Sequence, residues 1–290
     1  MVDINTKILR MIKSSKTDLP TLPVIVNNIL RAASDEKTTT EDLARLISYD
    51  VGITNKLLRL ANSVYYGQRN KTETIKRAIT IIGFDEIIGI TLGMSLLSTF
   101  SDSEKGLPLD MKALWIHSIG SATAAKEIAN RSNPGLAKKI FVPALLHDMG
   151  KIIFSVYFKE EYRTTRTMAM EKKIPLFRAE HDIFNMDHAV VAALLMKRWR
   201  FPTSILIPCR FHHNPDAAPV EFRLHSLILN LADYLSQKAH IGHSGNPVPV
   251  SVKNAHRKTG TNEAVLRLVV DKLRRKEDQI NNFFEITTSD

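Results

Sequence analysis

Cysteine is almost missing from this chain: Cys209 is the only one in 290 residues. No intrachain disulfide can form, and a reducing, cytoplasmic setting is expected. No stretch approaches the long uncharged run that a membrane span needs, so no membrane association is expected. The opening residues Met1 to Lys7 lack the pattern of a signal peptide. Internal repeats and low-complexity tracts are absent too. The net charge of +10 raises the question of nucleic acid, yet the excess is spread as +3 over residues 1–100, +5 over 101–250 and +2 over 251–290. The densest basic cluster, Lys272 with Arg274, Arg275 and Lys276, is followed at once by Glu277 and Asp278. That pattern reads as a solvated helix face more readily than as a phosphate-binding patch.

What remains is a globular composition, 44% hydrophobic and 24% charged, long enough for one large domain or two ordinary ones with a substantial core. The apolar pattern is helical almost throughout, so the fold class is all-α. A short helix is expected over Asn5 to Ser14. Leu19 to Pro23 makes a rigid lead-in to a helix carrying Val24, Ile25, Ile29 and Leu30. Thr38 and Glu41 have capping-box spacing ahead of Leu43, Leu46 and Ile47, and Asp50 can cap the next helix. Asn62 to Gly67 breaks that helix; a turn stapled by its tyrosines is the simpler reading, and a ligand or partner surface the other. Helices over 75–82 and 87–100 hinge at Gly83. Composition changes over Ser101 to Leu109, which marks a subdomain boundary. Helices follow near 112–130, 135–149, 159–173, 187–199, 203–213 and 222–240, with Pro208 implying a kink or break. Residues 241–261 read as an exposed or mobile loop, in which Val248, Val250 and Val252 could form a lone strand, and Asn262 to Phe284 as a last helix. The domain plan is thus 1–14, 15–108, 109–240 and 241–290.

One short stretch dominates the second half. Pro143 to Lys151 delivers His147 and Asp148 from an apolar run, and Gly150 is placed to end that helix. An imidazole beside a carboxylate in a core is costly unless hydrogen bonds or a metal ion compensate. The sequence around this pair leaves both readings open. Further polar groups lie on core-facing runs: His117, His188, His212, His213 and Asp233. Helical bundles build metal centres by converging such groups on one spot. For His188 the alternative is a helix start capped by Asp187, and for His213 a supporting contact to His212. His181 and Asp182 follow Arg178 and Glu180 with no apolar lead-in and read as surface. Lys151 reads most simply as a charge at a helix C-terminus; Trp115 and Trp199 read as core anchors.

These residues carry a family resemblance. His117, His147 with Asp148, and Asp233 follow the His…His-Asp…Asp order of the HD superfamily of metal-dependent phosphohydrolases. Leu19 to Pro23, the run Asp50 to Ser63, Tyr65-Tyr66-Gly67, and Ala78-Ile79 with Ile82-Gly83 resemble the HDOD family, the HD-related output domain of bacterial signalling proteins. The resemblance spans roughly residues 15–240. It implies an N-terminal helical subdomain packed against an HD-like helical bundle, followed here by a C-terminal helix, and a role in signal transduction. The related HD-GYP phosphodiesterases, which cleave cyclic di-GMP, imply a metal-ligand set of His117, His147, Asp148, His188, His212, His213 and Asp233. They also imply that Lys151 contacts phosphate. Two departures stand out. Ala113 replaces a glutamate ligand, which leaves one metal position short, and Asn214-Pro215-Asp216 replaces the Gly-Tyr-Pro loop, which argues against cyclic di-GMP hydrolysis.

Imidazoles and carboxylates without thiolate suit one or two divalent ions of iron, manganese, nickel or zinc. Such a centre, bridged by Asp148, can activate water for in-line attack on a phosphodiester, with Lys151 neutralising an oxygen. The leading expectation is a signalling module that keeps its metal site and works through partner proteins. A metal-dependent phosphohydrolase acting on a nucleotide or phosphodiester comes second, which would make a phosphate-containing ligand a partner. A nucleic-acid binder comes last. Whether the chain is an enzyme is left open by the sequence.

Overall fold

The computed structural model describes residues 4–14, 19, 22–35, 37–67, 70–100 and 106–289. Among these every regular element is a helix, and the Val248–Val252 strand does not form. The front half comprises α1 (Ile4–Lys13), α2 (Val24–Ser34), α3 (Thr40–Ser48), α4 (Val51–Ala61), α5 (Ile75–Ile82) and α6 (Phe84–Phe100). The middle runs through α7 (Met111–Ser132), α8 (Pro134–Ala137), α9 (Phe141–Leu146), α10 (Met149–Tyr157), α11 (Lys159–Glu171) and α12 (Leu176–Phe184). The chain ends with α13 (His188–Arg198), α14 (Thr203–Phe211), α15 (Val220–Ala239), α16 (Ala255–Lys258), α17 (Glu263–Arg275) and α18 (Glu277–Thr288).

Local chemistry sets many of these boundaries. Asp50 caps α4 through the Ile53 amide at 2.9 Å. The capping box of α3 lies one residue later than its expected register: Thr39 and Asp42 satisfy each other's backbone amides, because Asp42 can reach back to the Thr39 N–H as well as Glu41 could to Thr38. Gly83, at φ 107°, turns the chain between α5 and α6 in a conformation other residues rarely adopt. The segment expected as one helix over 135–149 divides into α8 and α9. The last helix divides at Lys276, where α17 ends and α18 begins. Helix α14 continues through Pro208 without a break. Helices α10 and α12, over stretches left unassigned from sequence, are the larger omission. Of the expected boundary at 101–109 and the Leu19–Pro23 lead-in, residues 101–105, 20 and 21 lie outside the described residues.

Helix α7 is the axis of the back half. It is apolar or small on nearly every side and packs against α8, α9, α15, α17 and α18. A helix buried all round carries little amphipathic signal. The buried apolar residues form one continuous cluster from Ile8 in α1 to Ile286 in α18. Fully buried aliphatic side chains such as Ile29, Leu57 and Ile153 contribute about 1.5–3 kcal/mol each relative to exposure. Arg198 at the end of α13 donates to the carbonyls of Met11 and Ile12 at 3.1 and 2.9 Å, fastening α1 to the back half. Trp115 and Trp199 are both buried.

No single described helix is long and apolar enough to cross a membrane. The α5–α6 pair would be so only if straight; it is bent by 107°, and α6 is largely buried in the core.

Candidate metal centre

The His147–Asp148 pair does not sit in the last turn of a helix. Helix α9 ends at Leu146, His147 is its C-cap, and Asp148 occupies the N-cap position of α10. Gly150 therefore ends nothing and lies inside α10. It is glycine because α10 presses on α13: a Cβ there would overlap the His188 carbonyl. Lys151 is likewise in the first turn of α10, where a helix dipole disfavours a cation. Its position is explained by its partner instead. The ammonium donates to Asp148 Oδ2 at 2.7 Å and to the Ser244 carbonyl at 3.0 Å, with Lys151 only 3% exposed.

Five elements converge on this pair. Helix α7 brings His117, the α9–α10 junction brings His147 and Asp148, α13 brings His188, the end of α14 brings His212 and His213, and α15 brings Asp233. Six of these seven are buried, and His213 is half-buried. His117 Nε2 lies 3.0 Å from Asp233 Oδ1 and 3.8 Å from Asp148 Oδ2. His147 Nε2 lies 3.4 Å from Asp148 Oδ1 and 3.7 Å from Asp233 Oδ1. His188 Nε2 lies 3.1 Å from Asp148 Oδ1 and 2.9 Å from His213 Nε2. Asp148 turns Oδ2 towards His117 and Oδ1 towards both His188 and His147. His117 stands at one end of the cluster and His213 at the other, with His147 and His212 between them: the ligand atoms of His117, His147 and Asp148, of His147, His212 and Asp233, and of His188, His212 and His213 lie within 4.8 Å of one another.

The geometry fits a cation. His147 Nδ1 donates to the Ala144 carbonyl at 2.8 Å and His212 Nδ1 to the Cys209 carbonyl at 2.7 Å. A carbonyl only accepts, so the proton is on Nδ1 and each Nε2 offers a lone pair. Neither Nε2 has a hydrogen-bond partner in the protein. A bare buried nitrogen aimed at carboxylate oxygens is costly unless a proton or a metal ion lies between. The charge balance points the same way. Burial alone would raise Asp148 and Asp233; the facing imidazoles, with Lys151 beside Asp148, outweigh it and hold both well below the usual carboxylate range. Burial pushes His212 down to about 3, helped by His147 and His188. His188 rises to about 9 against its burial because Glu180 and Asp148 face it.

Glu180, to which the sequence assigns no role, is fully buried beside His188. It accepts from the His188 backbone amide at 2.8 Å, from His188 Nδ1 at 2.5 Å and from the Tyr162 hydroxyl at 2.9 Å. The signal was present: Leu176, Phe177, Glu180, Ile183 and Phe184 make one helical stripe, and only Glu180 in it is polar. Its neighbours His181 and Asp182 are exposed, as expected. Asp187 does cap α13, at 2.9 Å from the Val190 amide, while His188 turns inward.

The segment after α15 is not an exposed loop at this end. Ile241 and Ser244 are buried. Gly242, at φ 58°, lies flat on α7, where a Cβ would strike the Ala113 carbonyl and the His117 amide. His243 donates its amide to the Ala113 carbonyl at 2.9 Å. Asn246 donates to Gln237, which donates in turn to Asp233 Oδ1 at 2.7 Å. The loop therefore covers the turn of α7 bearing Ala113 and braces the cluster through Lys151 and Gln237.

The sequence profile of the HDOD domain matches residues 19–215. An uncharacterized protein of Treponema pallidum is 26% identical over 221 residues, 75% of this chain and 42% of that protein, so the chain spans less than half of that relative's length. Among solved structures, a Geobacter sulfurreducens HDOD domain protein of unknown function is 24% identical, with 99% of this chain and 97% of that one covered and a TM-score of 0.77. A protein of Marinobacter aquaeolei VT8, provisionally named for signal transduction, is 18% identical over 98% of this chain and 65% of that one, with a TM-score of 0.79. One of Shewanella amazonensis SB2B, provisionally named a phosphohydrolase, is 18% identical over 97% and 98%, with a TM-score of 0.73. These likenesses show a shared all-helical fold.

Proposed function

Because the chain belongs to the HDOD family, we propose that it is a signal-transduction output module that retains an HD-type metal site and acts mainly through partner proteins. The observation that carries this reading is the seal over the cluster. Lys151, the group that would meet a phosphate, spends its ammonium on Asp148 and the Ser244 carbonyl and is 3% exposed. Structural metal sites are closed, whereas catalytic ones keep an open position. His117, His147, Asp148 and Asp233 would hold one ion, and Asp148, His188, His212 and His213 a second. Iron, manganese, nickel or zinc suits this donor set. A bound ion would neutralise the two carboxylates and polarise any oxygen that reached it. The protein's part is to orient the imidazoles and, through the loop 241–246, to exclude water. A cytoplasmic setting accords with the single cysteine, buried at Cys209.

A second reading, a metal-dependent phosphohydrolase acting on a nucleotide or phosphodiester, is favoured by one feature: Asp148 spans both groups of ligands, as a bridging carboxylate would. Elemental analysis of protein purified without a metal-affinity tag, followed by turnover assays, separates the two. The first reading expects bound metal, and no hydrolysis of phosphodiesters, nucleotides or phosphomonoesters at full occupancy. Turnover that disappears in Asp148→Ala would replace it with the second.

A further inference from the structure

The two halves of the cluster are built unequally. On one side His147 is backed by a neutral backbone carbonyl, and His117 Nδ1 is buried with no hydrogen-bond partner. The carboxylate oxygens on that side are already engaged: Lys151 holds Asp148 Oδ2, and Gln237 donates to Asp233 Oδ1. On the other side, Asp148 Oδ1 meets imidazoles and, among the described residues, no lysine or arginine, with His188 at 3.1 Å and His147 at 3.4 Å, and His188 is backed by a fully buried carboxylate. Glu180 Oε2 takes both the ring Nδ1 and the backbone amide of His188, at 2.5 and 2.8 Å. One oxygen thereby locks the ring to the first turn of α13. Glu180 Oε1 is satisfied by Tyr162 at 2.9 Å, so the carboxylate cannot swing away without losing that bond. His213 is steadied in turn by stacking on Phe177, ring centroids 4.3 Å apart.

We propose that Glu180 is a positioning residue which, through His188, makes the His188, His212 and His213 position the tighter of two metal positions. A carboxylate behind an imidazole fixes its orientation and raises its basicity as a ligand, and loss of such a partner typically weakens metal affinity about 10–100-fold. Glu180 touches no metal in this scheme. Tyr162 acts one step further out, holding Glu180. The inference rests on the reading of the cluster as a metal site.

The test uses the full chain, stripped with a chelator and titrated with Co(II) in competition with an indicator chelator, with visible absorption as the reporter. Wild type should take up two equivalents of unequal affinity. The tighter should vanish in His188→Ala and persist in His117→Ala. Glu180→Gln, which keeps the shape and loses the charge, should weaken the tighter equivalent about 10–100-fold and leave the weaker one unchanged. Tyr162→Phe should shift the same equivalent by a smaller factor, and it carries the test if melting curves show that Glu180→Gln does not fold. Unchanged affinity in a folded Glu180→Gln, equal weakening of both equivalents, or a tighter equivalent lost with His117 instead of His188 would overturn the proposal while leaving the metal site standing. A wild-type protein that takes up no Co(II) would remove the metal site itself, and the proposal with it.

Discussion

The imidazoles of His147 and His212 meet edge to face, ring centroids 5.0 Å apart, each turned by a carbonyl three residues back so that its Nε2 is bare. Two helix ends that share no sequence neighbourhood thus adopt one local device. Both rings serve the same spot, and each is costly to bury as it stands.

A ligand that binds the folded state alone stabilises it by about 2.7 kcal/mol at 100 times its Kd. Removing metal with a chelator is therefore expected to lower Tm by roughly 4–5 °C in a protein of this size. Refilling with the native ion should restore it. Calorimetry before and after stripping checks this. His212→Ala, which removes a bare nitrogen and a ligand of the tighter position, should make the chelator effect much smaller; an unchanged effect would place the metal elsewhere.

Lys151 offers a test of the charge balance. In the metal-free protein its ammonium is the one lysine or arginine charge on Asp148 among the described residues, 2.7 Å away and shielded from water, beside the imidazole of His188 at 3.1 Å. Lys151→Met should cost the metal-free protein about 3–5 kcal/mol, the usual result of leaving a buried charge without its partner. The cost should shrink when metal is bound, because the ion neutralises the same carboxylate. Denaturant melts of both forms give the two numbers. Equal costs with and without metal would mean that the ion does not sit on Asp148.

The all-α fold was legible because helical periodicity and capping residues are local: Asp50 caps α4 where its side chain says it can, and Gly83 turns where only glycine is easy. The convergence of the candidate residues was legible for a different reason. His117, His147, His212 and Asp233 are polar groups inside apolar helical runs, and all of them converge with Asp148, His188 and His213. Helix boundaries within the site were not legible. Phe141 to Tyr157 is apolar on almost every side, so periodicity cannot show that the chain breaks at His147 and restarts at Met149. The burial of Glu180 and the seal by Ile241 to Ser244 come from contacts between segments far apart in sequence, in stretches whose composition looks exposed.

Gly150 tests the packing of α10 on α13. Gly150→Ala puts a methyl group into the His188 carbonyl, a backbone atom that cannot step aside as a side-chain tip would. Overpacking of this kind typically costs about 1–3 kcal/mol or more. Because the obstruction lies at His188, metal binding should weaken with stability. Melting curves and metal stoichiometry on the same sample check both; a stable variant with full metal content would show that α10 and α13 can separate freely.

A second ion pair, away from the cluster, joins a buried carboxylate of the front half to a half-buried lysine on α7. Glu86 on α6 is 4% exposed; it accepts from the Tyr66 hydroxyl at 2.7 Å and pairs with Lys126 of α7 at 2.5 Å. Burial pushes its carboxyl above the usual 4.5, and Lys126 and Tyr66 recover only part of that shift. A carboxyl raised in the folded state penalises folding above that raised value, and the penalty is relieved as pH falls through it towards 4.5. Lys126→Met takes away the main compensation and should cost about 1–3 kcal/mol at neutral pH. The gap in Tm between variant and wild type should then narrow on acidification, since a protonated Glu86 needs no cation. Glu86→Gln with Lys126→Met should be stabler at neutral pH than Lys126→Met alone and should lose that pH dependence. A gap that widens on acidification would show that Lys126 acts on something other than Glu86.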